Sequence, residues 1–188
     1  TGVPSLCNIL IMPFSDTCGP DFSSRKADEK ASPGYYSVAL PDNGATVEIS
    51  CSPRVACYSI NFKGSGGKLF INLQNIQIRD RTDTPSLRGA IRAWDGGMED
   101  AQTLKGHIAA RSWVKYDLWY EIKFNRPVQK VDTLCLDSAY VAPAYVLDFG
   151  EDTKTLKAKI SLSYTSAEGA HANMSEVQGW NFSKVRKA

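Results

Sequence analysis

No apolar run in the 188-residue sequence approaches the roughly 20 residues that a membrane-spanning helix needs, so no helical span is expected. The segment opening at Thr1 has no signal-peptide pattern either. Blocks of like charge are absent: 22 basic and 20 acidic residues are interspersed and leave a formal charge of only +2. A chain without a basic stripe cannot neutralise a run of phosphates, which excludes nucleic acid as the expected partner. Histidine is scarce, and His107 and His171 stand far apart with no His-x-x-x-His or Cys-x-x-Cys spacing, so no histidine or thiolate metal site is expected. Gly-x-Ser-x-Gly is missing. Gly64-Ser65-Gly66-Gly67 lacks the Lys-Ser/Thr of a phosphate loop and reads as a hairpin turn.

Five cysteines, Cys7, Cys18, Cys51, Cys57 and Cys135, leave at least one unpaired within the chain. Most read as small buried hydrophobes, with a Cys51/Cys57 or Cys7/Cys18 bridge left open. A hydrophobic fraction of 43% with 22% charged residues is ordinary for a globular chain long enough to bury a core.

What is present is strand after strand. Residues 6–14 form an apolar run closed by Pro13, too short for a helix. A charged stretch from Phe22 passes through Ser32-Pro33-Gly34 into Tyr35, a loop feeding a strand. From there Tyr36, Val38 and Leu40 share one face, Pro41-Asp42-Asn43-Gly44 turns, and Val47, Ile49 and Cys51 return on one face. Strands at residues 55–62 and 69–73 follow, read as antiparallel neighbours because their connection is short. Alternation is weak at Ala90, Arg92 and Trp94, Asp95 to Asp100 reads as a loop, and Thr103 to Ser112 as either a strand or a connection. The strongest later strand alternates Leu118, Tyr120, Ile122 and Phe124 against Trp119, Glu121 and Lys123. Residues 145–149 and 156–164 read as a last hairpin around Gly150-Glu151-Asp152, with Ala158, Ile160, Leu162 and Tyr164 inward. Residues 166–174 then take helical spacing, and Asn181 is placed to cap a short basic second helix. The expected fold is all-β, an antiparallel β-sandwich over residues 1–165 with a short helical tail over residues 166–188.

Several segments, kept in order, resemble the N-terminal domain of glycoside hydrolase family 92, the exo-acting α-mannosidases. They are Thr1-Gly2 followed by Ile9 to Pro13; Ala31-Ser32-Pro33-Gly34-Tyr35-Tyr36-Ser37-Val38 with the turn at 41–44 and Arg54-Val55; Trp113 and its Tyr/Phe-rich strand ending at Arg126-Pro127; and Ser163-Tyr164-Thr165-Ser166, Ala170 to Asn173 and Trp180-Asn181-Phe182. The resemblance implies a galactose-mutarotase-like supersandwich whose first residues precede Thr1. It also implies a tail leading toward an α/α-barrel catalytic domain of the same polypeptide, absent from this chain. Two positions depart from the pattern, Asn8 where an Asp is usual and Tyr58 where a histidine is common.

Inverting glycosidases work with two carboxylates held roughly 6.5–9.5 Å apart. The resemblance implies that the acid, the base and a bound calcium all lie in the barrel, so no catalytic or metal residue is expected here and the chain alone should be inactive. The implied parent removes terminal α-linked mannose from glycans with inversion and is a secreted, periplasmic or cell-surface bacterial protein. The candidate substrate-binding residues are Thr1 and Gly2, as the remnant of a Gly-Thr-Gly turn, with Trp94 and Asp95, where a loop would turn an indole outward toward a sugar ring. Trp113 and Trp119 are further aromatic candidates, and Trp180 is expected to dock the tail. A free-standing carbohydrate-binding or adhesion module is the alternative, marked by an exposed aromatic platform; an uncovered apolar face on the tail would instead mark a missing partner.

Overall fold

A computed structural model describes residues 9–15, 22–73, 90–111, 114–134 and 142–187. Twelve strands are present among them: β1 (Leu10–Phe14), β2 (Ala27–Ser32), β3 (Tyr35–Leu40), β4 (Ala45–Cys51), β5 (Val55–Phe62), β6 (Lys68–Asn72), β7 (Ala90–Asp100), β8 (Thr103–Arg111), β9 (Lys115–Phe124), β10 (Lys130–Leu134), β11 (Ala144–Asp148) and β12 (Thr155–Ser163). They form two antiparallel sheets. The small one runs β1-β6-β11-β10 and the large one β2-β3-β4-β5-β12-β9-β8-β7. Their facing sides share one core, in which Ile60, Leu69, Ile71, Leu104, Ile122, Leu147 and Leu156 are fully buried. The expected β-sandwich is therefore the fold.

Two of the sequence-derived pairings are corrected. β5 does not pair with β6, nor β11 with β12; each short connection crosses from one sheet to the other instead of reversing within a sheet. The two crossings lie side by side, since the Gly66 amide donates to the Glu151 carbonyl at 2.9 Å and the Phe149 amide to the Gly67 carbonyl at 3.0 Å. Gly66 sits at φ +80, and a Cβ on Gly67 would meet the Phe62 ring at 2.6 Å, so the first arch needs both glycines.

The charged stretch before Tyr35 is not all loop. Residues 27–32 are an exposed edge strand paired with β3 through a register shift, the charged, bulged kind of edge that resists pairing with another chain. Asp95 to Asp100, read as a loop, is the second half of β7, whose partner β8 settles the segment after Thr103 as a strand. Facing glycines make this possible. Gly96 lies opposite Gly106; a Cβ on Gly96 would meet the backbone of Lys105 and Gly106, and one on Gly106 the Asp95 carbonyl and the Tyr120 hydroxyl of β9.

The tail folds as expected into α1 (Ala167–Asn173), a 3₁₀ turn at Met174–Glu176 and α2 (Phe182–Lys187). Ser166 caps α1 by accepting from the Gly169 amide at 2.9 Å, and Asn181 accepts from the Lys184 amide at 3.1 Å. The tail crosses the outer face of the large sheet. Met174 and Val177 bury against Val55 and Cys57, Phe182 and Val185 pack beside them, and the Arg186 guanidinium lies 3.7 Å from the Tyr35 ring centre. Its apolar face is covered by its own sandwich. Trp180 docks as expected, with the Lys159 ammonium 4.7 Å from its ring centre.

A methyl group on Gly106 would collide with the Asp95 carbonyl and stand 2.7 Å from the Tyr120 hydroxyl. Gly106→Ala should cost about 2 kcal/mol and lower Tm by roughly 4–8 °C in thermal unfolding. An unchanged Tm would contradict this packing of β7, β8 and β9.

Candidate functional site

A cleft of about 670 Å³ opens where β12 ends, β4 turns into β5 and α1 begins. Its described lining brings together segments far apart in sequence: Ile9, Cys51 to Ala56, Tyr58, Leu118, Ile160, Leu162 to Thr165, Gly169 and Asn173. The strand ends dictate the meeting. The Arg54 carbonyl accepts from the Leu162 amide at 3.2 Å and so ties the β4–β5 turn to the end of β12, while the Asn173 amide donates to the Leu162 carbonyl at 2.8 Å and lays α1 over the same point.

The chemistry of this lining is apolar with neutral polar groups. Tyr58 is half-buried and burial pushes its phenol up. Tyr164 is 50% exposed, its phenol is also raised by burial, and its ring meets Tyr116 edge to face at 6.2 Å. Arg54 contributes no free charge, because Glu176 takes its guanidinium together with its backbone amide at 3.1 Å and the Ser52 hydroxyl at 2.7 Å. Those bonds, Ser52 first and Arg54 second, hold the Glu176 carboxyl below the usual range. No carboxylate is among the described lining residues; this wall presents aromatic, amide and hydroxyl groups. Two of the three large hydrophobic side chains exposed among the described residues, Val114 at 65% and Tyr164, stand on or near Tyr116 at this end.

Of the substrate-binding candidates, the two that are described, Trp94 and Asp95, are not among the lining residues. Thr1, Gly2, Asn8 and Trp113 lie outside the described residues, as do Cys7, Cys18 and Cys135. Trp94 and Asp95 are described and point to opposite faces of β7. Because the segment is strand and not loop, the Trp94 indole is turned inward onto the core, its N–H donating to the Tyr120 hydroxyl at 3.4 Å. Asp95 points outward toward His107, 3.8 Å from Nδ1. His107 Nε2 lies 2.7 Å from Asp117, and the imidazole stacks on Trp119 at 4.6 Å between ring centres. Trp94 is turned inward, Trp119 stacks on His107 and Trp180 lies under Lys159, so each described tryptophan has an intramolecular partner. Cys51 and Cys57 are both free thiols, so that bridge is not formed; burial beneath the tail pushes the Cys57 thiol up to about 11.

Sequence reading missed Glu121. Its alternation with Trp119 and Lys123 marks it as outward and solvated, yet the tail buries its side chain to 4% exposure. Burial alone would push this carboxyl up; Lys123 at 2.9 Å and His171 at 2.9 Å outweigh it, and the net shift is downward. No sequence signal marks Glu121, since its cover comes from residues 50 positions later in the chain.

This fold defines an all-β sandwich domain carrying a helical strap. The chain belongs to glycosyl hydrolase family 92: the model of the glycosyl hydrolase family 92 N-terminal domain matches residues 1–174. A family GH92 α-mannosidase from Bacteroides thetaiotaomicron is similar in fold, with a TM-score of 0.79 and 21% identity over 100% of this chain and 28% of that one. The same enzyme in complex with mannoimidazole gives 0.78 and 21% over 100% and 27%. A family GH92 inverting mannosidase from the same organism gives 0.71 and 17% over 95% and 25%. The chain thus spans about a quarter of the length of these structures. Curated protein sequences give no match.

Tyr164→Ala should leave the Tm of the chain within about 2 °C, because half of the side chain is already in solvent. Calorimetry checks this, and a large loss would mean that Tyr164 is a core residue and not a free wall of the cleft.

Proposed function

We propose that this chain is the accessory N-terminal domain of an α-mannosidase that removes terminal α-linked mannose from glycans with inversion, and that its cleft faces the catalytic domain and the glycan. The observation that carries this reading is convergence. Arg54-Val55, Tyr58, Ser163-Tyr164-Thr165 and Asn173, drawn from separate motif segments and from one position that departs from the motif, all line one cleft.

The solved relatives support the chemistry, one being an inverting mannosidase and another an α-mannosidase with mannoimidazole bound. Catalysis itself is assigned to an α/α barrel in the remainder of the parent polypeptide. A calcium ion is assigned there too, by resemblance to the family. This domain's part is to complete the pocket with aromatic and amide surface against which a pyranose ring can be held. No helix among the described residues is long and apolar enough to cross a membrane, and the parent is placed outside the cytoplasm, in the periplasm, at the cell surface or secreted, where extracellular glycans are met.

The test compares the full-length polypeptide with the 188-residue chain on an aryl α-mannoside in the presence of calcium. The full-length protein should release mannose, with the β-anomer appearing first by NMR, and the isolated chain should release none. In the full-length protein Tyr164→Ala should lower kcat/KM by about tenfold. Hydrolysis by the chain alone would overturn the assignment of catalysis elsewhere, and a full-length protein inert on α-mannosides but active on another sugar would overturn the substrate.

A further inference from the structure

The tail contributes no strand to either sheet, so no backbone ladder holds it to the sandwich. It is attached by side chains. His171 of α1 reaches Glu121 on β9, Glu176 reaches Ser52 and Arg54 in the β4–β5 turn, and Lys159 and Lys157 of β12 donate to the carbonyls of Val177 at 2.9 Å and Trp180 at 2.7 Å. Its helices are one or two turns long, far below the length that is stable alone. None of the α2 residues is fully buried. A segment held by side chains at a few points is the kind of unit that opens while the strands beneath stay paired.

We propose that residues 166–187 form a strap that opens from the sandwich as a unit, held shut by the carboxylates of Glu121 and Glu176, and that its docking sets the width of the cleft. The second part follows from position. Gly169 and Asn173 of α1 form the strap's share of the cleft wall, and Glu176 grips Arg54, another lining residue, so displacement of the strap removes part of that wall. Opening also uncovers Cys57, whose thiol lies under Met174 and Val177. The latch does not depend on which ligand the cleft holds.

The charged groups around each anchor fix the pH response. Glu121 faces Lys123 on its own strand, Lys105 of β8, Lys159 of β12 and His171 of the strap, and Glu176 faces Arg54. Both carboxyls sit below their ordinary range when the strap is docked. Their contribution to docking is therefore complete above the ordinary carboxylate range and is lost as pH falls through the lowered values.

Hydrogen exchange on the 188-residue chain, read by peptide mass spectrometry, tests the latch. At neutral pH, Glu176→Ala should raise exchange across residues 166–187 by about tenfold and leave β5, β9 and β12 unchanged. Glu121→Gln should act in the same direction. In the wild type, lowering the pH from about 7 to about 3 should speed labelling of Cys57, relative to exposed Cys51, by an aromatic disulfide that reacts with thiols in acid. Strap exchange unchanged in both variants, strand exchange rising in step with the strap, or a Cys57/Cys51 ratio constant until the sheets unfold would each overturn the proposal.

Discussion

The arrangement depends on burying a polar strand face. β12 sits between β5 and β9, with Leu156, Ala158 and Ile160 turned into the core. Its opposite face carries Lys159, Ser161 and Ser163, and the neighbouring Glu121 of β9 lies on the same side. All four are buried. A buried polar group without a partner costs about 1–3 kcal/mol, so the covering element must satisfy each one as well as exclude water. The helical tail does this for two of the four: Lys159 donates to the Val177 carbonyl and Glu121 receives His171. Ser163 is held at 2.9 Å by Thr165, the residue just before the tail, and Ser161 donates to the Glu121 carbonyl within the sheet. The apolar contacts of Met174 and Val177 would hold a helix on many surfaces; the polar row fixes where it sits.

That fixed position creates the cleft. The N-terminus of α1 is set over the end of β12 by the Ser166 cap and the bond from Asn173 to Leu162, and the turn at Ser52 to Arg54 is drawn to the same point by Glu176. A sandwich end that would otherwise be loops becomes a walled groove with aromatic residues at its rim. The described lining is mainly apolar, with aromatic, amide and hydroxyl groups and with Arg54 paired to Glu176.

Much of the fold was legible because period-two alternation is a local property. The run from Leu118 to Phe124, the return at Pro41 to Gly44, the helical spacing after Ser166 and Asn181 as a cap all carry their information within a few residues. What failed was pairing. A short loop permits a hairpin or an arch between sheets, and the choice is made by Gly66, Gly67 and Glu151 meeting across the fold, which no local pattern records. Trp94 failed for a related reason: Asp95-Gly96-Gly97 has the composition of a loop, but Gly96 serves a close approach to the backbone of Lys105 and Gly106 on β8. The edge strand at Ala27–Ser32 was hidden because an edge selects for charge, the same composition that marks a loop. The motif segments were visible one by one, whereas their meeting in one cleft required the three-dimensional structure.

The proposed arrangement turns the cleft end of this sandwich toward the rest of the parent protein. Hydrogen exchange compared between the 188-residue chain and the full-length polypeptide tests it directly. The account predicts that residues 52–58 and 162–165 are protected in the full-length protein while the arches at residues 63–67 and 149–153, at the other end of the sandwich, exchange alike in both. Equal exchange at the cleft in the two proteins, or protection confined to the arches, would contradict it.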